Sequence, residues 1–250
     1  MPALPCLVFK YTIRHDMIAA EIERILDAVL VQGQLDEPGA KRVLAAAGIA
    51  VPLGRVIRSL PELPPALAGL RFPLAAKLVS PDASHKSDVG GVRLQLTTAE
   101  QVQAAVVALE SAARERGLRV TGFLIEEMAS GQEVVIGGMR DARFGPVLML
   151  GLGGVFVEVL RDVVFRICPL ERRDAAEMIG ELKGSPLLRG ARGRAPVSEA
   201  ALVQAILAVG GEDGLLVRLA HRITELDINP LIVDGERAVA CDARMVLRDA

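Results

Sequence analysis

Residues 73–94 read PLAAKLVSPDASHKSDVGGVRL. The apolar run 73–79 has the length and composition of a buried strand, and VRLQL (92–96) that of its hairpin partner. Lys77 breaks the apolar run, and an ammonium inside such a strand is costly unless an anion meets it. The loop between the strands, SHKSDVGG (Ser84–Gly91), has one large apolar side chain, Val89. Gly90 and Gly91 let backbone N–H groups approach an anion, and Ser87 adds a hydroxyl donor. Lys86 adds charge, and His85 is a donor or a nucleophile. By composition alone such a tip is most often a solvated turn. Lys77 shifts the reading toward a clamp for a polyphosphate. The plain alternative is a lysine that snorkels or pairs with a carboxylate such as Glu126.

The 250-residue chain fits one domain of two lobes or two small domains. With 51% hydrophobic residues it has ample material for a core. A net charge of −2 and 3% aromatic residues leave no basic stripe, so no nucleic-acid partner is expected. The longest apolar runs are far shorter than a bilayer span, so no membrane partner is expected. The first residues lack the apolar stretch of a secretory signal. Cys6, Cys168 and Cys241 stand far apart, which suggests reduced thiols and a cytoplasmic location. His15, His85 and His221 have no zinc-ligand spacing.

Residues 1–16 join no periodic pattern and read as an irregular N-terminal extension, with Met17 an alternative start. From Met17 apolar residues recur at helical spacing, and a second helix follows with Asp36 as N-cap and Gly48 as its stop. Thr98 and Gln101 form a possible capping box for a helix with residues 102, 105, 106 and 109 on one face. Dense strand signals then run through VTGFLIEEM, QEVVIGGM, GPVLML and VVFRI. Helices are expected at 171–182, 198–208 and 214–221, before the closing stretch TELDINPLIVDGERAVACDARMVL. This order predicts an α/β chain of α+β lobes rather than a strictly alternating parallel sheet. The expected lobes are 17–128 and 129–250.

In the closing stretch, Asp234–Gly235 between alternating runs signals a two-residue hairpin turn. That register pairs Val233 with Glu236, Asn229 with Ala240 and Asp227 with Asp242. Asp227, Asn229 and Asp242 then share one face, with Ile228, Ile232, Val239 and Cys241 on the other, core face. Two opposed carboxylates repel, and a divalent cation would relieve them. Oxygen-only donors suit Mg²⁺ or Mn²⁺. A solvated polar face answered by Arg244 or Arg222 explains the same pattern.

There is no GxxxxGK[ST], so the chain is not a P-loop NTPase. GLGGVF fits a dinucleotide fingerprint only partially. LIEEMASGQE (124–133) is a candidate connection between lobes. There the backbone at Glu126, Glu127 and Met128 could read an adenine edge, Met128 could touch its face, and Glu133 could accept from ribose hydroxyls. Core filling by Met128 and surface exposure of Glu133 are the simpler readings of those residues taken singly.

Three blocks, from FPLAAKLVSPDASHKSDVGGVRL through LIEEMASGQEVVIGGMRDARFGPVLMLGLGGVFVEVLRDVVFRICPL to ELDINPLIV…AVACDARMVL, resemble the ATP-grasp domain of NDP-forming acyl-CoA synthetases. The similarity is greatest to the separate β subunit of the ADP-forming acetate–CoA ligase type and runs over about residues 17–248. It implies an ATP-grasp fold with ATP or ADP held between two α+β lobes. It implies that Lys77 contacts the phosphates and that 85–91 is a mobile glycine loop over them. Glu126 to Met128 would form the adenine hinge and Glu133 the ribose acceptor. Asn229 and Asp242 would ligate Mg²⁺, with Asp227 in support. An α-type partner with CoA-binding and ligase domains is implied, in a hetero-oligomer, carrying a phosphorylated histidine whose phosphoryl group reaches ADP. His85 matches the loop histidine of the family, a second phosphoryl carrier, with Lys86 beside it. Gly151 to Gly154 and Glu158 would face the arriving partner loop. The alternative is a regulatory, non-catalytic ATP-binding module of an acyltransferase-type assembly. One departure is AVGGEDGLLVRLAHRITELDINP (208–230), shorter and richer in glycine than the family leads one to expect, which puts packing there in doubt.

Overall fold

The computed structural model describes residues 20–27, 33–82, 90–154, 160–193 and 195–248. Two antiparallel sheets carry the chain. The smaller has the order β2-β5-β3-β4, from β2 (Gly54–Ile57), β3 (Leu74–Val79), β4 (Val92–Leu96) and β5 (Gly122–Glu127). The larger has the order β1-β11-β9-β6-β7-β8, with β10 on β9. Its strands are β1 (Gln34–Leu35), β6 (Gln132–Asp141), β7 (Gly145–Leu152), β8 (Val163–Ile167), β9 (Ile223–Val233), β10 (Ala238–Ala240) and β11 (Ala243–Leu247).

The chain reverses through the expected hairpin, and β3 pairs with β4, Lys77 standing opposite Val92. All six residues of β3 are buried, because it is an inner strand and both faces of the sheet are covered there. After the short helix α3 (Leu63–Leu67), a long helix, α4 (Ala99–Glu115), closes one face of this sheet. Its residues Val102, Ala105, Val106, Leu109 and Ala113 pack with Leu74, Ala76, Leu78, Phe123 and Ile125. Burying the larger of these side chains stabilises by about 1.5–3 kcal/mol each before entropy. Thr98 caps the helix, accepting from the Gln101 amide at 3.3 Å. The Gln101 side chain accepts from the Thr97 amide at 2.7 Å, one residue before the position a full capping box would use.

The larger sheet is backed by α1 (20–27), α2 (Glu37–Ala46), α5 (Arg172–Glu181), α6 (Ser185–Leu188), α7 (Glu199–Gly210) and α8 (Leu215–Arg218). Helix α2 starts where expected: Asp36 accepts from the Gly39 amide at 2.8 Å. Gly48, with φ of 87°, ends it. Its apolar stripe Ala40, Val43 and Leu44 joins the core of the larger sheet, together with Ile22, Leu26, Leu35 and Ile49. The core of the smaller sheet is drawn from Ile57 to Ile125. The two cores therefore divide the chain differently from the expected 17–128 and 129–250, because β1 pairs with β11 and carries α2 onto the far sheet. Leu215, Leu216 and Leu219 are buried in the same core, so the glycine-rich segment 208–230 is well packed. No described helix is long and apolar enough to cross a membrane. Cys168 and Cys241 are free thiols, and burial pushes Cys168 up to about 11.

The closing hairpin departs from its expected register by two residues. Val233 pairs with Ala238, leaving a four-residue turn in which Asp234 Oδ1 accepts from the Glu236 and Arg237 amides, each at 2.8 Å. The Asp234 carboxylate caps those two N–H groups and so draws both residues into the turn. Asp227 consequently stands opposite Arg244, not Asp242, and Ala243 stands opposite Ile228. Where β6 moves two residues, from Val134 to Ile136, β9 moves three, from Leu231 back to Ile228. That irregularity switches faces: Ile228 and Leu231 both point into the core cluster. Ile232 and Val239, expected beside Ile228, are buried but on the side away from it.

Candidate functional site

Strand pairing places Lys77 opposite Leu124 and Ala75 opposite Glu126. Lys77 and Glu126 thus share the face of the smaller sheet turned away from α4. Against this face lie helix α2 and the link between β10 and β11. Lys77 Nζ donates to Glu37 Oε1 at 2.8 Å and to the Cys241 carbonyl at 2.6 Å, and stands 2.9 Å from Glu126 Oε1. Lys41 Nζ lies 2.8 Å from Glu37 Oε1 and 2.6 Å from Glu126 Oε2. The four side chains close a ring of alternating charge, Lys41–Glu37–Lys77–Glu126, neutral as a whole. They are only 2–5% exposed. An ammonium has three donors, and those of Lys77 meet three acceptors. Burial works against its charge, but the Glu37, Glu126 and Asp242 carboxylates outweigh burial and raise its pKa above the ordinary lysine value. Of the two readings of Lys77, the structure contains the carboxylate pairing, with Glu37 added to the expected Glu126.

The Cys241 carbonyl brings the two distant halves of the expected site together. Lys77 and Cys241 are 164 residues apart in the chain, and Asp242 follows Cys241 directly. Asn229 N donates to the Asp242 carbonyl at 3.2 Å, and Cys241 N to the Pro230 carbonyl at 2.9 Å. Asn229 and Asp242 are therefore direct cross-strand neighbours, which the expected register denied them. Asp242 Oδ1 accepts from the Ala243 amide at 2.8 Å, which orients the carboxylate. The carboxylate conflict expected between Asp227 and Asp242 is absent, since Asp227 faces Arg244. Among the described residues no three His, Cys, Asp or Glu side chains cluster in a way that could hold a metal. The donors at hand are one amide and one carboxylate, hard oxygens that fit a Mg²⁺ which keeps waters and is completed by phosphates. They do not fit zinc.

Gly91 precedes Val92, the partner of Lys77, and its carbonyl accepts from Leu78 N at 2.8 Å. Gly90 adopts φ of 65° in open space, a conformation that favours glycine. The glycine loop thus leaves the sheet beside Lys77. His85, Lys86 and Ser87 lie outside the described residues, as does Glu158. At the connection between lobes, Glu127 N donates to Leu53 O at 2.9 Å and Met128 N to Pro73 O at 3.3 Å. Those amides, expected at an adenine edge, complete the smaller sheet. The Glu127 carboxylate accepts from Arg71 N at 2.9 Å, and Arg71 holds its pKa below the usual carboxylate range. Met128 Sδ accepts from Gln95 N at 3.1 Å, so its side chain is placed by β4. Glu133 is exposed on β6, and its carbonyl accepts from Gly153 N at 2.9 Å. A Cβ on Gly153 would stand 2.7 Å from that of Glu133, so the GLGG turn packs against Glu133 only as glycine.

Glu37 and Lys41 were not among the expected site residues. Beside an N-cap, an i,i+4 Glu–Lys pair reads as ordinary surface support for a helix. The available signal was angular: residues 37, 40, 41 and 44 fall on one helical stripe, so the charges share the face of the apolar residues.

The sequence matches the ATP-grasp domain family over residues 29–247. It is 40% identical over 235 residues to the acetate–CoA ligase [ADP-forming] I subunit beta of Pyrococcus furiosus, covering 93% of this chain and 100% of that one. Among solved structures, the dinucleotide-forming acetyl-coenzyme A synthetase 1 of Ca. Korarchaeum cryptofilum, in complex with coenzyme A and Ca-AMPCP, superposes with a TM-score of 0.82 at 36% identity. The match covers 94% of this chain and 99% of that one. A second structure of that enzyme, with coenzyme A, Mg-AMPPCP and a phosphohistidine segment pointing towards the nucleotide binding site, gives 0.73 at 38% identity. It covers 86% of this chain and 93% of that one.

Proposed function

The chain belongs to the ATP-grasp domain family, and from that premise we propose that it is the nucleotide-handling, β-type subunit of an ADP-forming acyl-CoA ligase. One observation carries the reading at the site: the bond from Lys77 to the Cys241 carbonyl, which sets the phosphate-side lysine next to Asp242. The similarity to an acetate–CoA ligase β subunit extends over the whole of that chain, which favours this reading over a regulatory module. The substrates are ADP or ATP with a divalent metal, in keeping with the Mg-AMPPCP and Ca-AMPCP complexes of the related synthetase. The partner is an α-type chain that binds CoA and carries the phosphohistidine.

The reaction moves one phosphoryl group. The P–N bond of a phosphohistidine protonated on its other ring nitrogen breaks, its electron pair staying on the released nitrogen, while a bond forms from phosphorus to a terminal oxygen of ADP, leaving neutral histidine and ATP. Such transfer needs alignment and charge neutralisation more than covalent work by the protein. Lys77 offsets phosphate charge by turning an N–H from a carboxylate to a phosphate oxygen. The glycine loop leaving at Gly91 covers the phosphates, His85 relays the phosphoryl group, and Lys86 and Ser87 neutralise and orient it. Glu133, exposed beside the GLGG turn, accepts from the ribose, and the 126–128 connection bounds the base. Asn229 and Asp242, with Asp227 in support, would hold Mg²⁺, which when bound would screen the phosphate charge.

The test is Mg-ADP binding to the full chain by calorimetry, with and without Mg²⁺, in wild type and Asp242→Ala. Wild type binds with Mg²⁺, and Asp242→Ala loses most of the metal-dependent affinity while keeping the fold. A wild-type chain that neither binds Mg-ADP nor is stabilised by it overturns the proposal.

A further inference from the structure

The buried ring contains more charge than a single ion pair would need. Lys77 and Glu126 are neutral together, so Glu37 and Lys41 add nothing to the net charge. Four buried charges are a poor source of stability compared with apolar side chains of the same volume. What the second pair adds is geometry. Glu37 Oε1 serves both Lys77 and Lys41, each at 2.8 Å. Glu126 offers Oε1 to Lys77 and Oε2 to Lys41, at 2.9 and 2.6 Å. Each carboxylate therefore has a second ammonium that is not Lys77. The contacts Lys77–Glu37 and Lys41–Glu126 also cross between the body of the larger sheet, which includes α2, and the smaller sheet.

If Lys77 turned a donor to an incoming phosphate in a simple Lys–Glu pair, it would strand a buried carboxylate, which costs several kcal/mol. In the ring, Lys41 still holds both carboxylates. We propose that Glu37 and Lys41 are positioning residues of the nucleotide site: Lys41 is the standing counter-ion that lets Lys77 release a carboxylate, and Glu37 is the carboxylate it releases. This rests on the reading of Lys77 as a phosphate contact.

The inference predicts opposite effects from two variants of adjacent turns of one helix. Lys41→Met leaves two carboxylates with Lys77 alone, locks Lys77 in place and leaves one net negative charge beside the phosphates. Mg-ADP affinity falls by about tenfold or more, the scale of one uncompensated charge acting through protein. Glu37→Gln frees one donor of Lys77 and leaves a net positive charge, so affinity does not fall. Lys41→Arg keeps the counter-ion and stays near wild type. Both charge-removing variants unfold more easily than wild type, so a merely structural role would weaken binding in both alike. The measurement is calorimetric Mg-ADP titration of the full chain, alongside urea unfolding of each variant. Equal losses in Lys41→Met and Glu37→Gln, or an unchanged Lys41→Met, overturn the positioning role while wild-type binding still upholds the proposed function. Should Lys41→Met fail to fold, Glu37→Gln decides: a loss beyond about twofold, the limit of ordinary non-additivity, overturns it. A wild type without Mg-ADP affinity overturns both readings.

Discussion

Replacing Lys77 by Met removes one ammonium from the ring and leaves Glu37 and Glu126 with Lys41 as their partner in that ring. Met retains most of the lysine's volume and its unbranched stem, so the packing between the sheets changes little. The electrostatic consequence is large, because the affected groups are 2–5% exposed and water cannot replace the lost ammonium. Breaking a buried pair by removing one partner costs about 3–5 kcal/mol. At about 2–4 °C per kcal/mol for a chain of this size, that lowers Tm by roughly 6–20 °C. Glu126→Gln costs a similar amount by leaving excess positive charge. The double variant restores neutrality, leaving Lys41 and Glu37, 2.8 Å apart in the wild type, as a pair. Its loss should fall short of the sum of the single losses by about 2–3 kcal/mol, near the upper end for groups in one network. Urea unfolding is the assay, because urea is uncharged and does not screen the ring as guanidinium would. Losses that add to within about 0.5 kcal/mol would show that the four charges do not act as a unit, and the reasoning would fail. The pH response has a definite sign. The Lys77 pKa is raised in the folded chain, so its contribution is complete below the unfolded value of about 10.4 and is lost only as pH rises through the folded value. The deficit of Lys77→Met is therefore constant between neutral pH and about pH 9.

Two further outcomes are expected. With an α-type partner present, His85→Ala leaves Mg-ADP affinity within about twofold of wild type but stops acyl-CoA-dependent ATP formation. Near-normal ATP formation by that variant removes the relay. Asp234→Ala loses the two turn bonds and, given the partial exposure of the side chain, destabilises by about 0.5–1 kcal/mol at pH 7. The turn amides of Glu236 and Arg237 hold the Asp234 pKa below its ordinary value. Its contribution is therefore present above about pH 4 and disappears as pH falls through the lower folded value. The gap between variant and wild type narrows in acid, as read from urea midpoints at pH 7 and pH 3. A gap of undiminished size at pH 3 would mean that the carboxylate charge is not what holds the turn.

Much of the architecture could be read locally. The α2 cap at Asp36, the stripe of α4 and the hairpin around the glycine loop rest on residues a few positions apart, where propensity and periodicity act. The register of the closing hairpin could not: the chain reverses at Asp234–Gly235 as expected, but through four residues and not two. A side-chain oxygen of Asp234 competes with backbone pairing for two amides, and a two-residue turn rule has no place for that competition. The observed register differs from the expected one by two residues, an even number, so Asp227, Asn229 and Asp242 still fall on one face by alternation. The partners changed: Asn229 now faces Asp242, and Asp227 faces Arg244.

The sequence by itself determined the elements and their order, the unusual lysine in an apolar strand, and the family to which three long blocks point. Those are properties of short segments and of their succession along the chain. Only the tertiary structure decided what Lys77 touches. Its partners Glu37, Glu126 and the Cys241 carbonyl come from three separate regions of the chain, and they meet because β1 pairs with β11 and holds α2 on the larger sheet, where Glu37 reaches across to the smaller one. A buried charge is tolerated or not according to its neighbours within a few ångströms, and for this lysine those neighbours lie 40 to 164 residues away.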